Sequence, residues 1–316
     1  MKILNLEQIK AALRSVDLMQ QIESGFVAYS EGRAVVPPVG ELVLQNPPGD
    51  VHIKYGYLTG DEYYVIKIAS GFYDNAALGL PSSNGLMLLF SQQSGELCAV
   101  LLDEGYLTDV RTAVAGAICA KYLAPATVTR IGVFGTGIQA RLQLQYLAPV
   151  TDCREVTVWG RNQLNLDAYR EDMASSGFSV RTTHDAAEVL QQCNLIVTTT
   201  PATEPVMAWL DDMQHGVHIT AIGSDTAYKQ ELDLAAMARA DLLVADSIAQ
   251  CKSRGEIHHA LRNGVIQESD VVELGNLISG KTTGRVSEDQ VTIADLTGVA
   301  VQDIQITKAV FEAASG

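Results

Sequence analysis

The chain is short of cations, cysteine and long apolar runs, and each shortage closes off a class of function. Lysine and arginine total 22 against 37 aspartates and glutamates, a formal charge of −15. Nucleic acid and anionic membrane surfaces want a basic footprint, so neither is expected as the main partner. A small anionic ligand needs only a local cluster of cations and stays open. The five cysteines (Cys98, Cys119, Cys153, Cys193, Cys251) are odd in number, scattered and without a C-x-x-C pair. That is the pattern of reduced cytosolic thiols, not of a zinc site. No apolar run approaches ~18 residues, so no membrane span is expected. The opening MKILNLEQIKAALRSVD lacks a signal-peptide core, which points to a soluble, cytoplasmic protein. There is no G-x-S-x-G, and the six histidines, His258-His259 included, show no metal-ligand spacing.

What is present is 316 residues, 47% of them hydrophobic, enough for about two domains with buried cores. The first part reads as a short strand, an amphipathic helix, two proline clusters (Pro37-Pro38, Pro47-Pro48) and four short strand-like runs, HIKYGYL, YYVIKIAS, LMLLFS and LCAVLLD. Closely spaced strands with short turns predict an antiparallel or mixed sheet. A helix dense in small residues follows at 111–124, and Pro125 marks the expected domain boundary. From Val128 the rhythm is strand, turn, helix, strand: 128–135, a helix at 138–149 with Ile138, Leu142, Leu144 and Leu147 as its apolar positions, then 155–159, a helix near 164–175, 195–200, 218–223 and 241–246. Apolar strands alternating with helices predict an α/β fold with a doubly wound parallel sheet. The last ~20 residues read as a helix that returns to the first domain.

Gly135-Thr136-Gly137-Ile138-Gln139-Ala140 is G-x-G-x-x-A, directly after a strand and opening a helix. In that context it reads as a dinucleotide-binding turn rather than a packing turn. The first glycine allows the tight turn, the second lets backbone approach a pyrophosphate, and the helix N-terminus offers aligned N–H groups. The next strand ends in Trp159-Gly160-Arg161-Asn162, without the carboxylate that holds an NAD ribose. Arg161, with Asn162 beside it, suits a 2′-phosphate, so NADPH is favoured over NADH; the alternative is a solvated surface arginine. Thr198-Thr199-Thr200 and Ile222-Gly223-Ser224-Asp225 stop two further strands, where ligands of such sheets sit. From composition alone, Asp225 is more readily a helix N-cap than a site residue.

At LTDVRTAVAGAICAKYLA followed by the glycine-rich turn, the chain resembles the ornithine cyclodeaminase/mu-crystallin family, nearly end to end. The resemblance includes Lys67 in YVIKIAS, the block Thr108 to Ala113, Gly223-Ser224-Asp225 with Lys229, and the terminal stretch Leu296 to Asp303. It implies a Rossmann domain, 126–299, that binds NAD(P), and a substrate-binding and dimerisation α+β domain from both chain ends, 1–125 and 300–316. By the same resemblance Lys67 and Arg111 hold the substrate carboxylate, and Asp225 stands beside the substrate nitrogen. Asp225 and Lys67 are thus the expected catalytic pair. Thr112, Ile138, Gln139, Thr199, Ser224, Lys229 and Thr297 fall where the family touches its cofactor. The arginine that many members carry after the early proline is missing from Pro37-Pro38-Val39-Gly40-Glu41. Lys54, two residues from His52 on one strand face, is the candidate replacement, and Ser83 and Asn84 are candidates for the same pocket.

The family implies three reactions: reduction of a cyclic imine-2-carboxylate, cyclodeamination of ornithine with tightly bound NAD, and oxidative deamination of alanine. Arg161 favours NADPH and hence a ketimine reductase, such as one acting on Δ1-pyrroline-2-carboxylate. A non-catalytic, NADPH-binding mu-crystallin-like protein is the alternative of another class. The expected assembly is a homodimer with a small carboxylate substrate and no metal.

Overall fold

The computed structural model describes residues 1–211, 213 and 216–315, with the backbone alone at Tyr73 and Ala76. Two compact units emerge, Met1–Arg111 with Val299–Gly316, and Thr112–Gly298. They divide inside a helix, between Arg111 and Thr112, whereas the sequence points to Pro125 and to residue 300. Helix hydrogen bonding runs through this junction, so no turn residue marks it.

The first unit holds a seven-stranded mixed sheet: β1 (Lys2–Leu4), β2 (Ala34–Val35), β3 (Gly40–Gln45), β4 (Pro48–Leu58), β5 (Tyr63–Gly71), β6 (Ser83–Ser91) and β7 (Leu97–Leu101). Its order is β1-β7-β6-β5-β4-β2, with β3 also on β4; β1 runs parallel to β7 and the other pairs are antiparallel. Because side chains alternate along a strand, every second residue faces the core. Val65, Met87, Leu89, Ala99 and Leu101 fill that face, and so do Lys54 and Lys67, which sit opposite each other across β4 and β5. Helices α1 (Leu6–Leu13) and α2 (Leu18–Ser30) replace the expected single opening helix. Asn5 closes a capping box on α1 and Asp17 caps α2, which is why the chain breaks between them. The terminal helix, Ala300–Ala313, packs against α1, α2 and the strands β4 to β6. It approaches α2 closely at Gly25, where an added Cβ would stand 2.8 Å from Gln305 Cγ.

Helix α3 spans Tyr106–Leu123 and starts five residues before the sequence suggests. Its N-terminus is capped by Asp103, whose Oδ2 accepts the Leu107 N–H at 2.8 Å. Arg111 therefore lies past the first turn and offers no helix N-terminus to an anion.

The second unit holds an eight-stranded, wholly parallel sheet in the order β10-β9-β8-β11-β12-β15-β13-β14. The strands are β8 (Ile131–Phe134), β9 (Glu155–Trp159), β10 (Ser179–Thr183), β11 (Leu195–Thr198), β12 (His218–Ala221), β13 (Leu242–Ala245), β14 (Val271–Glu273) and β15 (Thr292–Asp295). Five of these match the sequence reading; β10, β14 and β15 are too short or too polar to announce themselves. This is the expected doubly wound architecture. Helices α4 (Ile138–Leu147) and α5 (Gln163–Ser175) follow β8 and β9. On α4 the buried positions are Ala140, Gln143, Leu144 and Leu147, while Ile138, expected to be apolar core, is 56% exposed at the helix start. No described helix is long and apolar enough to cross a membrane.

Candidate functional site

In the second unit the chain reverses its direction across the sheet between β8 and β11, the switch point where parallel α/β sheets take ligands. Gly135 closes β8 at φ +112°, a conformation L side chains avoid, and a Cβ there would meet Thr199 Oγ1 at 2.7 Å. Gly137 is different: a Cβ would meet nothing within 4 Å, so packing does not demand glycine. It is the N-cap of α4 without a side-chain cap, leaving the first N–H groups of the helix open. A hollow of about 260 Å³ lies over this point. Gly135, Thr136, Gly137, Thr199 and Thr200 line one part, and Trp159, Gly160, Arg161 and Asn162 another. Tyr169, buried on α5, donates to the Ala140 carbonyl of α4 at 2.9 Å.

Arg161 is exposed and has no hydrogen-bond or ion-pair partner among the described residues. Asn162 is engaged; its Oδ1 caps α5 by accepting the Asn165 N–H at 3.1 Å. Of the remaining expected cofactor residues, Ile138, Gln139 and Ala140 continue α4 beyond the hollow. Gln139 Oε1 accepts from Gln143 Nε2 at 3.4 Å, and Thr112 supplies a carbonyl to the same amide at 3.2 Å. Thr297 is buried and donates to Asp246 at 3.0 Å.

The segment after β12 is a loop rather than a helix, so Asp225 caps nothing; α-helix resumes at Leu234, capped by Asp233. Asp225 is 38% exposed on its side chain and accepts from Lys229 Nζ at 2.8 Å. Ser224 is buried with its hydroxyl committed to the Lys229 carbonyl at 2.5 Å, and Ile222 is anchored by its N–H to the Thr198 carbonyl. The loop is stitched to β11 by Glu231, which sequence reasoning passes over. Its carboxylate accepts from Thr198 Oγ1 at 2.7 Å, Thr200 N at 2.5 Å, Thr200 Oγ1 at 2.8 Å and Gly223 N at 2.7 Å. Glu256 in turn accepts the Glu231 and Leu232 N–H groups. Asp295 accepts the Ile257 N–H at 2.8 Å, and burial, with Asp246 nearby, pushes its carboxyl up to about 8.

The first unit assembles a different site. Lys67, Arg111 and Asp303 meet in the interior, each at most 5% exposed. Lys67 Nζ and Arg111 Nε both donate to Asp303 Oδ1, at 3.0 Å each, and Arg111 Nη1 donates to Gln302 Oε1 at 3.2 Å. The remaining N–H groups of Lys67 and Arg111 Nη2 have no acceptor among the described residues. Lys54, 7% exposed, faces Lys67 across the strands. Burial, reinforced by Arg111 and Lys54, pulls the Lys67 ammonium down to about 7, although Asp303 works the other way. His52, on the same face as Lys54, pairs with Glu41 at 3.1 Å.

Ser83 and Asn84, expected together, part company. Ser83 pairs with Gly71 on the face of Lys67, while Asn84 pairs with Ser70 on the opposite face, a one-residue difference that reverses direction in a strand. Both contribute to a hollow of about 140 Å³ bounded by Ser70, Phe72 and Pro81. Asp303 is the other residue the sequence reading leaves without a role. Its one cue is position: a lone carboxylate in the apolar run Val299-Ala300-Val301…Ile304. The described residues hold no His/Cys/Asp/Glu group suited to a metal ion.

Comparison with known proteins bears on this geometry. The model of the ornithine cyclodeaminase/mu-crystallin family matches residues 1–316. A Sinorhizobium fredii protein described as an uncharacterized cyclodeaminase is 42% identical, covering 99% of this chain and 96% of its own. The alanine dehydrogenase of Archaeoglobus fulgidus is 35% identical, covering 98% and 94% respectively. Among solved structures, the Thermococcus litoralis Δ1-pyrroline-2-carboxylate reductase, in complex with NADH and L-proline, is similar with a TM-score of 0.93 and 26% identity, covering 100% of this chain and 98% of that one.

Proposed function

The chain belongs to the ornithine cyclodeaminase/mu-crystallin family, and from that premise we propose that it is an oxidoreductase using NADPH to reduce a cyclic imine-2-carboxylate, such as Δ1-pyrroline-2-carboxylate, to the cyclic amino acid. The observation that carries this reading is the cation pair of the first unit. Lys67 and Arg111 are buried, share one carboxylate oxygen and keep N–H donors without acceptors among the described residues. Buried donors are normally satisfied, and a substrate carboxylate satisfies these with charge-assisted bonds.

The second unit fits a dinucleotide. The open space at Gly137 and the uncapped start of α4 suit a pyrophosphate. The lining of the hollow includes no acidic side chain, and its cation is Arg161, which supports NADPH over the NADH of the Thermococcus relative. The bound dinucleotide supplies the hydride. Lys67 and Arg111 fix the substrate by its carboxylate, an orientation effect. Asp225 holds a proton at the imine nitrogen, making the neighbouring carbon a better hydride acceptor, and Lys229 orients that carboxylate.

The first unit is also proposed to form a homodimer. On β3, Leu42, Val43 and Leu44 are 60%, 70% and 38% exposed, an apolar row on an edge-like strand that a second copy would cover.

The test is consumption of NADPH and NADH across a panel of cyclic imine-2-carboxylates, beside ornithine and alanine with the oxidised dinucleotides. Faster NADPH consumption with an imine is the expected result. Release of ammonia from ornithine or alanine with no imine reduction would replace this reading by the cyclodeaminase or the alanine dehydrogenase. NADPH binding without any turnover would favour the non-enzyme.

A further inference from the structure

We propose that Asp303 is a positioning residue of the carboxylate grip: by sharing its Oδ1 between Lys67 and Arg111, it sets the direction in which both present their remaining donors to a substrate carboxylate. The inference rests on the reading of the first unit given above. An arginine meeting a carboxylate usually forms a fork of two parallel bonds. Here the fork is not formed. Arg111 turns its Nε to Oδ1 and its Nη1 to Gln302, while Asp303 Oδ2 is buried with no hydrogen-bond partner among the described residues. A purely structural pair would use both carboxylate oxygens. This arrangement leaves Nη2 and two Lys67 protons uncommitted instead.

The helix around Asp303 is held to the sheet beside Lys67: Thr307, one turn on, donates to the Asp303 backbone carbonyl at 2.6 Å and lies 2.8 Å from Met87 Sδ, and Met87 is the cross-strand partner of Lys67. Burial pushes the Asp303 carboxyl up, but Lys67, Arg111 and Lys54 outweigh it and hold it below the usual carboxylate range. The charged and titratable groups facing Lys67 are Arg111 from α3, Lys54 from β4, Asp103 from the turn before α3, and Asp303. Removing Asp303 leaves Lys67 with two cationic neighbours and no fixed direction.

The experiment follows the titration of Lys67 by NMR in protein labelled at lysine Cε, with the signal assigned through Lys67→Arg, in wild type and Asp303→Asn without substrate. The Lys67 midpoint, about 7 in the wild type, should fall by about 1–3 pH units. Where an imine is turned over, kcat/KM requires charged Lys67 and declines as pH rises through that midpoint; the decline should begin correspondingly lower in Asp303→Asn. A folded Asp303→Asn protein with an unmoved Lys67 midpoint overturns the proposal. Because loss of the charge alone lowers the midpoint, positioning is read from kcat/KM measured below both midpoints, where Lys67 is charged in either protein. There it should fall in Asp303→Asn, and a wild-type value overturns the proposal as well. Should Asp303→Asn fail to fold, Asp303→Glu, which keeps the charge and displaces it by one methylene, is read by kcat/KM below the Lys67 midpoint: a fall is expected, and a wild-type value overturns the proposal. The titration needs no substrate, so failure of the reductase reading and failure of this one are told apart.

Discussion

The two units bury charged clusters of different make-up and satisfy them differently. In the first, Lys54, Lys67 and Arg111 gather around Asp303, and donors are left over. In the second, Glu231, Glu256, Asp246 and Asp295 lie beneath the strand ends, and backbone N–H groups and hydroxyls converge on them. A buried charge is costly unless paired or hydrogen-bonded. Glu231 and Glu256 meet that cost by tying loops together, which makes them struts. The cations of the first unit meet it only in part, and the deficit is what a ligand can fill. A perturbed group does not by itself mark function, since structural networks shift pKa values too. Asp295, pushed up to about 8, is the second unit's counterpart to Lys67 at about 7, yet we assign it no chemistry.

The sharpest way to break this contrast is to remove one charge from each of two carboxylates on the same loop. Asp225→Asn removes a half-exposed carboxylate whose partner is Lys229. Turnover should fall by roughly 10²–10⁴-fold, the range of a positioned acid–base group, while the melting temperature and NADPH affinity stay near wild type. Near-normal turnover in the folded variant would remove Asp225 from the chemistry. With the helix-cap alternative excluded by the loop that follows it, an ion pair with Lys229 would be its remaining role.

Glu231→Gln should do the reverse. Whichever oxygen its amide NH₂ replaces, a donor then faces a backbone N–H, that of Thr200 or that of Gly223. The expected loss is about 1–3 kcal/mol of stability, or several degrees in melting temperature for a unit of this size. NADPH affinity should weaken with it, because Thr199 and Thr200 line the hollow. A variant as stable as wild type, measured by calorimetry, would show that the network is not a strut.

How far the sequence foretells these regions follows from which forces are local. The parallel sheet is legible because its strands are apolar runs alternating with helices, and the glycine-rich turn because Gly135 adopts a positive φ directly after a strand. Lys67 interrupts the buried alternation of β5 two residues after Val65, a local cue. Glu231 is illegible: nothing near Lys229-Gln230-Glu231 says that its acceptors are used by Thr198 and Thr200, thirty-odd residues earlier. Asp303 is illegible for the same reason, since its partners come from the other end of the chain. The split of Ser83 from Asn84 is lost because register, not composition, decides strand faces. The start of α3 is missed because Glu104, at φ 53°, and Gly105, at φ 86°, make a turn that Asp103 then caps.

The smallest expected effect concerns Arg161, the one cation of the second unit's hollow and, unlike Lys67 and Arg111, an exposed one. If an unpartnered cation signals a ligand, exposure should weaken the signal without erasing it, since water already solvates the guanidinium. Arg161→Asp replaces a group that can bind a 2′-phosphate with one that repels it and can accept from a ribose hydroxyl. The ratio of NADPH to NADH affinity should drop by at least about tenfold, the ~1.4 kcal/mol at the lower end of a charge-assisted bond. Stability should not change, because Arg161 touches no described partner. Asn162 stands next to it but is committed to capping α5, so Asn162→Ala should cost stability and leave the ratio alone. Paired titrations of both nucleotides in both variants decide the matter. Should the ratio move with Asn162→Ala and not with Arg161→Asp, the exposed arginine is a solvated surface group and the preference for NADPH has no basis at this strand end.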